Sequence, residues 1–286
     1  MERSSRLTRV QESDHAGRGA VNRINGHFRA NTVSPVTAPP EPSEDLVGRP
    51  PSGRIFESAR TVQFGEVDPT GRLRLDSAAR ILQDLSADDT ADAQLPSPEA
   101  WVVRRTVIEV RQFPRYRDTL RMATWCSATA SHFAERRAEL RGDRGGVIDA
   151  YNVWVHVERG SGRPARLSES FRDTFAESAG DRRASSRFEH DGPVDGATSQ
   201  RWSLRATDFD MWDHVNNGAQ WEAVEEVLQA HTELEGPLRA EVEHRGTLDR
   251  GTEVELRHAP LDETTVGLWV LADGELAMTA RLRPLR

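Results

Sequence analysis

A carboxylate and an imidazole four residues apart, just ahead of an amphipathic helix, are the side chains in this sequence best placed to do chemistry. Asp210 and His214 lie in the stretch TDFDMWDHVNNGAQWEAVEEVLQA, residues 207–230, and Asn216 and Asn217 follow at once. Ala219, Trp221, Val224, Val227 and Leu228 recur at spacings of three and four, which predicts a helix from Asn217. Asn at such a start caps the helix, because its side-chain oxygen accepts from an otherwise orphaned N–H. The remaining unpaired N–H groups and the positive end of the helix dipole suit a carbonyl oxygen that becomes negative. Asp210 could activate or orient a water, or attack directly, and His214 could exchange a proton near neutral pH.

The rest of the chain reads as scaffolding for this turn. Strands are expected at 60–64, 101–112, 119–128, 132–141 and 147–157, with a helix from about Asp76 that places Leu75, Ala79, Leu82 and Leu85 on one side. A second series follows: a strand at 202–207, the helix from Asn217, and strands at 241–247, 252–258, 264–272 and 276–282. Aligning Asp68 with Asp210 puts Leu75 on Asn217, Ala79 on Trp221, Leu82 on Val224 and Leu85 on Val227. The chain therefore reads as two copies of one unit. Arg72 stands at the place of His214 and Leu75 at that of Asn217, so a single site is expected, in the C-terminal copy. The expected boundaries are a disordered N-terminal extension at 1–58, a first unit at 59–175, a Ser-, Gly-, Asp- and Arg-rich linker at 176–200 and a second unit at 201–286.

These motifs resemble a known family. Asp210, the run His214-Val215-Asn216-Asn217, the aromatic after it and the Glu225-Glu226 pair are similar to the second half of the acyl-acyl carrier protein (acyl-ACP) thioesterases. Residues 101–103, 108–110, Phe113-Pro114 and 118–127 resemble the first half in order and spacing. The resemblance implies an α+β fold, a tandem (double) hotdog, with two long central helices wrapped by a continuous antiparallel β-sheet. It implies hydrolysis of the thioester of fatty acyl-ACP to free fatty acid, with acyl carrier protein as partner and no cofactor. Asp210 and His214 would be catalytic, and Asn216, Asn217 and Trp212 would position the substrate. Glu243, with Glu241 beside it, is the nearest counterpart of a family Glu on the strand after the helix. Two departures stand out. Trp212 occupies a place where plant members carry Asn, and an indole donates a hydrogen bond but cannot accept one. No Cys follows Glu243. An acyl-CoA thioesterase of the same fold, or an acyl-binding protein without turnover, are the competing readings.

Composition narrows the field. The chain has 286 residues and a formal charge of −8, which argues against wholesale nucleic-acid binding. Cys126 is the only cysteine, so an internal disulfide and a cysteine zinc site are excluded, and its strand-like TWCSAT setting points to an inert core thiol. The histidines show no paired metal-ligand spacing. No apolar run approaches the ~20 residues of a membrane span, and a cytoplasmic location is expected. Between Trp101 and Gly145, 10 arginines face 5 acids, which suggests a docking patch for an acidic carrier protein. A monomer and a homodimer both fit a chain that already carries two units.

Overall fold

Leu75, Ala78, Leu82 and Leu85 on one helix, and Ala219, Trp221, Val224, Val227 and Leu228 on another, are buried in a single hydrophobic cluster. These stripes define α1 (Leu75–Asp92) and α3 (Asn217–Gln229). The structure, a computed structural model, describes residues 46–95, 100–158, 161–231, 234 and 236–285. All of these belong to one compact unit, residues 39–286.

Ten strands complete the core: β1 (Phe56–Thr61), β2 (Ala100–Gln112), β3 (Thr119–Thr129), β4 (Phe133–Gly142), β5 (Val147–Val157), β6 (Thr198–Trp202), β7 (Leu238–His244), β8 (Val254–Pro260), β9 (Val266–Ala272) and β10 (Glu275–Pro284). They form one sheet in the order β1-β3-β4-β5-β2-β7-β10-β9-β8-β6. Every pairing is antiparallel, including the β2–β7 seam that joins the halves. Read outward from that seam, the two halves carry their strands in the same internal order, so the expected repeat is real. Its register holds at atomic detail. A single 3-10 turn at Phe64–Glu66 matches one at Ala206–Asp208. The bridge Val67–Leu73 matches Phe209–Val215. Asp68 N–H donates to Arg72 C=O at 2.9 Å, as Asp210 N–H does to His214 C=O at 3.0 Å.

The two central helices run in opposite directions. Leu75 pairs with Glu225, Arg80 with Glu222, and Gln83 shares a cavity with Asn217, in reversed order along the two helices. Their close approach requires Gly218, where a Cβ would lie 2.6 Å from Arg80 Cγ. Each fully buried Leu or Val on these stripes contributes roughly 1.5–3 kcal/mol.

Charge pairs lock the seam on the other face of the sheet. Arg105 faces Glu243 and Glu109 faces Arg239 across β2 and β7. Glu243 also accepts from Arg245 Nη2 at 2.8 Å and from the backbone N–H groups of Glu189 and His190. Burial pushes the Glu243 carboxyl up, but the Glu189 N–H and the Arg105 guanidinium outweigh it and hold the group below its usual range.

Several expectations need correction. A third helix, α2 (Glu169–Ala179), is present, capped by Ser168 Oγ accepting from Phe171 N–H at 3.1 Å. It packs Phe171, Phe175 and Ala179 against Cys126 and Ala134. The extension expected to be disordered through residue 58 lies outside the described residues up to residue 45. From Leu46 it is ordered: Leu46 packs on Val107, Tyr151 and Val153, and Arg137 Nε donates to Val47 C=O at 2.8 Å. The expected linker at 176–200 ends in β6, and its residues 187–190 cover the seam. The first strand of each copy lies four residues earlier than its pattern suggested, because the 3-10 turn takes the apolar residues assigned to the strand end.

Replacing Glu243 with Gln removes one member of this buried ion network. It is expected to lower stability by about 3 kcal/mol in denaturant titration, with kcat per folded molecule unchanged. A loss of kcat in the folded variant would instead place Glu243 in the chemistry.

Candidate active site

The turn that carries Asp210 and His214 is set by local chemistry. Asp213 takes φ +61°, where the first copy has Gly71 at φ +82°. Asp tolerates this left-handed conformation better than most residues. Asp210 Oδ1 accepts from Trp212 N–H at 2.9 Å, and Asn216 Oδ1 accepts from Gly218 N–H at 2.8 Å, capping α3. The turn is tied to the segment after β7 by Val215 N–H donating to Leu248 C=O at 3.0 Å. That segment also brings Asp249 to the imidazole: His214 Nδ1 lies 2.7 Å from Asp249 Oδ1, with both side chains about half exposed. Asp249 is a partner that sequence reasoning missed, because it stands 35 residues away in a loop.

Comparison of the two copies shows what is special about the second. In the first, the carboxylate of Asp68 is saturated. Its Oδ1 accepts from Thr70 N–H, Thr70 Oγ1 and Arg72 N–H at 2.9, 2.7 and 3.0 Å, and its Oδ2 lies 2.9 Å from Arg72 Nε. These bonds and the Arg72 charge outweigh burial and hold Asp68 below the usual carboxylate range. In the second copy Trp212 replaces Thr70 and His214 replaces Arg72. Only the Trp212 N–H bond remains to Asp210 among the described residues, and Oδ2 is left open.

The helix ends differ in the same sense. The N–H of Leu75, first residue of α1, donates to the Glu225 carboxylate, which also takes Arg72 Nη2 at 2.9 Å. The N-terminus of α1 is thus filled by an anion from α3. Asn217 is the matching first residue of α3, and its N–H meets no such acceptor among the described residues. It lines a small cavity of about 10 Å³ with Gly218, Trp221, Ala79, Gln83, Val103, Thr106, Asn152 and Trp154. That is room for about one water. Its floor is polar, Thr106 Oγ1 donating to Asn152 Oδ1 at 2.6 Å. Gln83 and Trp154 also line a larger chamber of about 400 Å³ whose other walls include Ala87, Ala91, Leu95, Trp101, Ala134 and Phe171.

Other expected residues have different places. Glu243 and Glu241 point to the face of the sheet opposite the helices, since their neighbours Val242 and Ala240 are in the helix-side core. Neither is brought to the Asp210 turn. Met211 and Trp212 are exposed at its tip, with 88% and 52% of their surface accessible. Cys126 is buried and its thiol is pushed up to about 12 by burial, so it stays protonated. Four members of the arginine patch are taken up inside: Arg105, Arg111 and Arg136 are buried on Glu243, Asp149 and Asp89, and Arg137 is buried against backbone carbonyls. Arg115, Arg117, Arg121 and Arg144 remain exposed. Among the described residues no group of three His, Cys, Asp or Glu side chains converges on one point, and no helix is long and apolar enough to cross a membrane.

The chain belongs to the acyl-ACP thioesterase family: its N-terminal domain matches residues 53–175 and its C-terminal domain residues 192–275. The family match makes the chain a thioester hydrolase. An uncharacterized protein of Mycobacterium tuberculosis (strain H37Rv) is 31% identical over 241 residues, which is 84% of this chain and 96% of that protein. The solved 12:0-ACP thioesterase from Umbellularia californica superposes with TM-score 0.68 at 18% identity, over 81% of this chain and 98% of that one. An acyl-ACP thioesterase from Bacteroides thetaiotaomicron gives 0.66 at 20% identity, over 80% and 97%.

One buried histidine makes the helix–sheet contact sensitive to pH. His244 Nδ1 lies 3.0 Å from Gln220 Oε1 of α3, and burial pushes its pKa down from 6.5 to about 4. Between those values the unfolded chain holds the proton more tightly. Stability is therefore full above pH 6.5 and falls as the pH drops to about 4, by ~3 kcal/mol from this group. His244→Gln should flatten the dependence of Tm on pH over that interval. An unchanged slope would show that His244 does not carry it.

Proposed function

We propose that the chain hydrolyses fatty acyl-ACP at one site, the N-terminus of α3, and that its two halves are two hotdog units sharing one sheet. The observation that carries this is the open Asp210 carboxylate beside an open helix end, where the first copy has both filled. In this reading the acyl chain enters the chamber by Gln83 and Trp154, and the thioester carbonyl oxygen accepts from the Asn217 N–H. Asp210 takes a proton from water, and the hydroxide adds to the carbonyl carbon. The C–S bond then breaks as His214, oriented through Nδ1 by Asp249, gives a proton to the leaving sulfur. The products are the free fatty acid and the carrier's thiol. Asn216 fixes the helix start. Trp212 supplies the backbone N–H that aims Asp210, so its indole need not replace the accepting group of an Asn. In this reading the reaction belongs to carrier-based fatty acid metabolism.

Thiol release from purified protein with matched acyl-ACP and acyl-CoA substrates tests the assignment. Turnover should favour the carrier. Asp210→Ala should lower kcat by at least ~100-fold and His214→Ala by a comparable factor, with Asp249→Asn losing about tenfold. Folded Asp210→Ala at full activity would remove the site, and preference for the CoA ester would make this an acyl-CoA thioesterase of the same fold.

A further inference from the structure

The repeat register assigns a partner to the open helix end that none of the motifs named. Aligning Asp68 with Asp210 places Gln83 of α1 on Glu225 of α3. Because the helices cross antiparallel, each of these side chains meets the first turn of the other helix. Glu225 does so through its carboxylate, which accepts from the N–H of Leu75. Gln83 lines the one-water cavity together with Asn217 and Gly218, and it also lines the acyl chamber beyond. Its amide has no hydrogen-bond partner among the described residues.

We propose that Gln83 is a catalytic residue of the thioesterase site, its Nε2 donating to the thioester carbonyl oxygen alongside the Asn217 N–H. The proposal rests on the reading of α3 as the active-site helix. A helix N-terminus attracts negative charge, and a carboxylate opposite it would take the place meant for the oxyanion, as Glu225 does at α1. A neutral amide leaves the place open and adds a second donor whose bond strengthens as charge develops on oxygen. Glu225 and Gln83 thus have opposite effects at equivalent positions: one closes its helix end, the other completes it. Gln83 also stands where the small cavity meets the chamber, which is where the carbonyl of an acyl chain lodged in the chamber would come to rest.

The test compares three isosteric or truncated variants in the full-length chain. Thiol release from acyl-ACP is measured for Gln83→Glu, Gln83→Met and Gln83→Ala, with thermal melting to confirm folding. Gln83→Met, which keeps the volume and removes the donor, should lower kcat by on the order of 100- to 1000-fold with KM little changed, as for loss of one oxyanion donor. Gln83→Glu should fall further than either, because its anion would occupy the helix end itself. A residue that merely fills space gives the reverse order, with Glu mildest and Ala most damaging, and that order would overturn the proposal. So would a folded Gln83→Met at wild-type kcat. Absence of turnover in the wild-type protein would sink the underlying assignment instead, which keeps the two failures distinct.

Discussion

Two helix N-termini, each facing the middle of the other helix, are the constraint from which the rest of this molecule follows. Such an end carries unpaired N–H groups and a partial positive charge, and buried groups of that kind require partners. At α1 the requirement is met from inside, by the Glu225 carboxylate, which Arg72 holds in place. At α3 the equivalent position is a glutamine beside a cavity, and in the proposed reading a ligand meets the requirement. The same division appears one turn earlier, where Asp68 is saturated by Thr70 and Arg72 while Asp210 keeps one oxygen open. In the proposed reading, one active site remains because the other half is filled.

The remaining elements serve that asymmetry. The antiparallel crossing needs Gly218, since any side chain there would collide with Arg80. The β2–β7 seam holds the two halves in one sheet through Arg105–Glu243 and Glu109–Arg239, and the chain between α2 and β6 covers these charges from outside. Helix α2 contributes Phe171 to the chamber wall and closes the side of the first half that α1 leaves open. None of these pieces touches the reacting atoms, yet each fixes where α1 and α3 can lie.

Much of the frame was legible in the sequence. Both central helices begin within one residue of the expected positions, Leu75 lying one before Asp76 and Asn217 coinciding, because apolar stripes at helical spacing leave little choice. The repeat was readable too, and its register already set Gln83 against Glu225 and Thr70 against Trp212. What those pairings mean was not, because it depends on the direction in which the helices cross. Asp249 and His244 were invisible for a related reason: their partners, His214 and Gln220, come from another element. Glu243 looked like a site residue because its strand position was nearly right. Alternation in β7 sends it to the opposite face, where two guanidinium and two backbone donors hold it. Helix α2 escaped notice because Ser, Asp and Arg dominate its neighbourhood, although Phe171, Phe175 and Ala179 recur every four residues.

The claim that one helix end is filled and the other open has a direct readout. The protein would be crystallised with a hydrolysis-resistant acyl-pantetheine amide, and its binding stoichiometry measured by titration calorimetry. The account predicts one ligand per chain, with the carbonyl oxygen at the Asn217 N–H, the acyl tail in the chamber by Phe171, and Glu225 still seated on Leu75. A second ligand at the α1 N-terminus, or a single one that displaces Glu225, would contradict it.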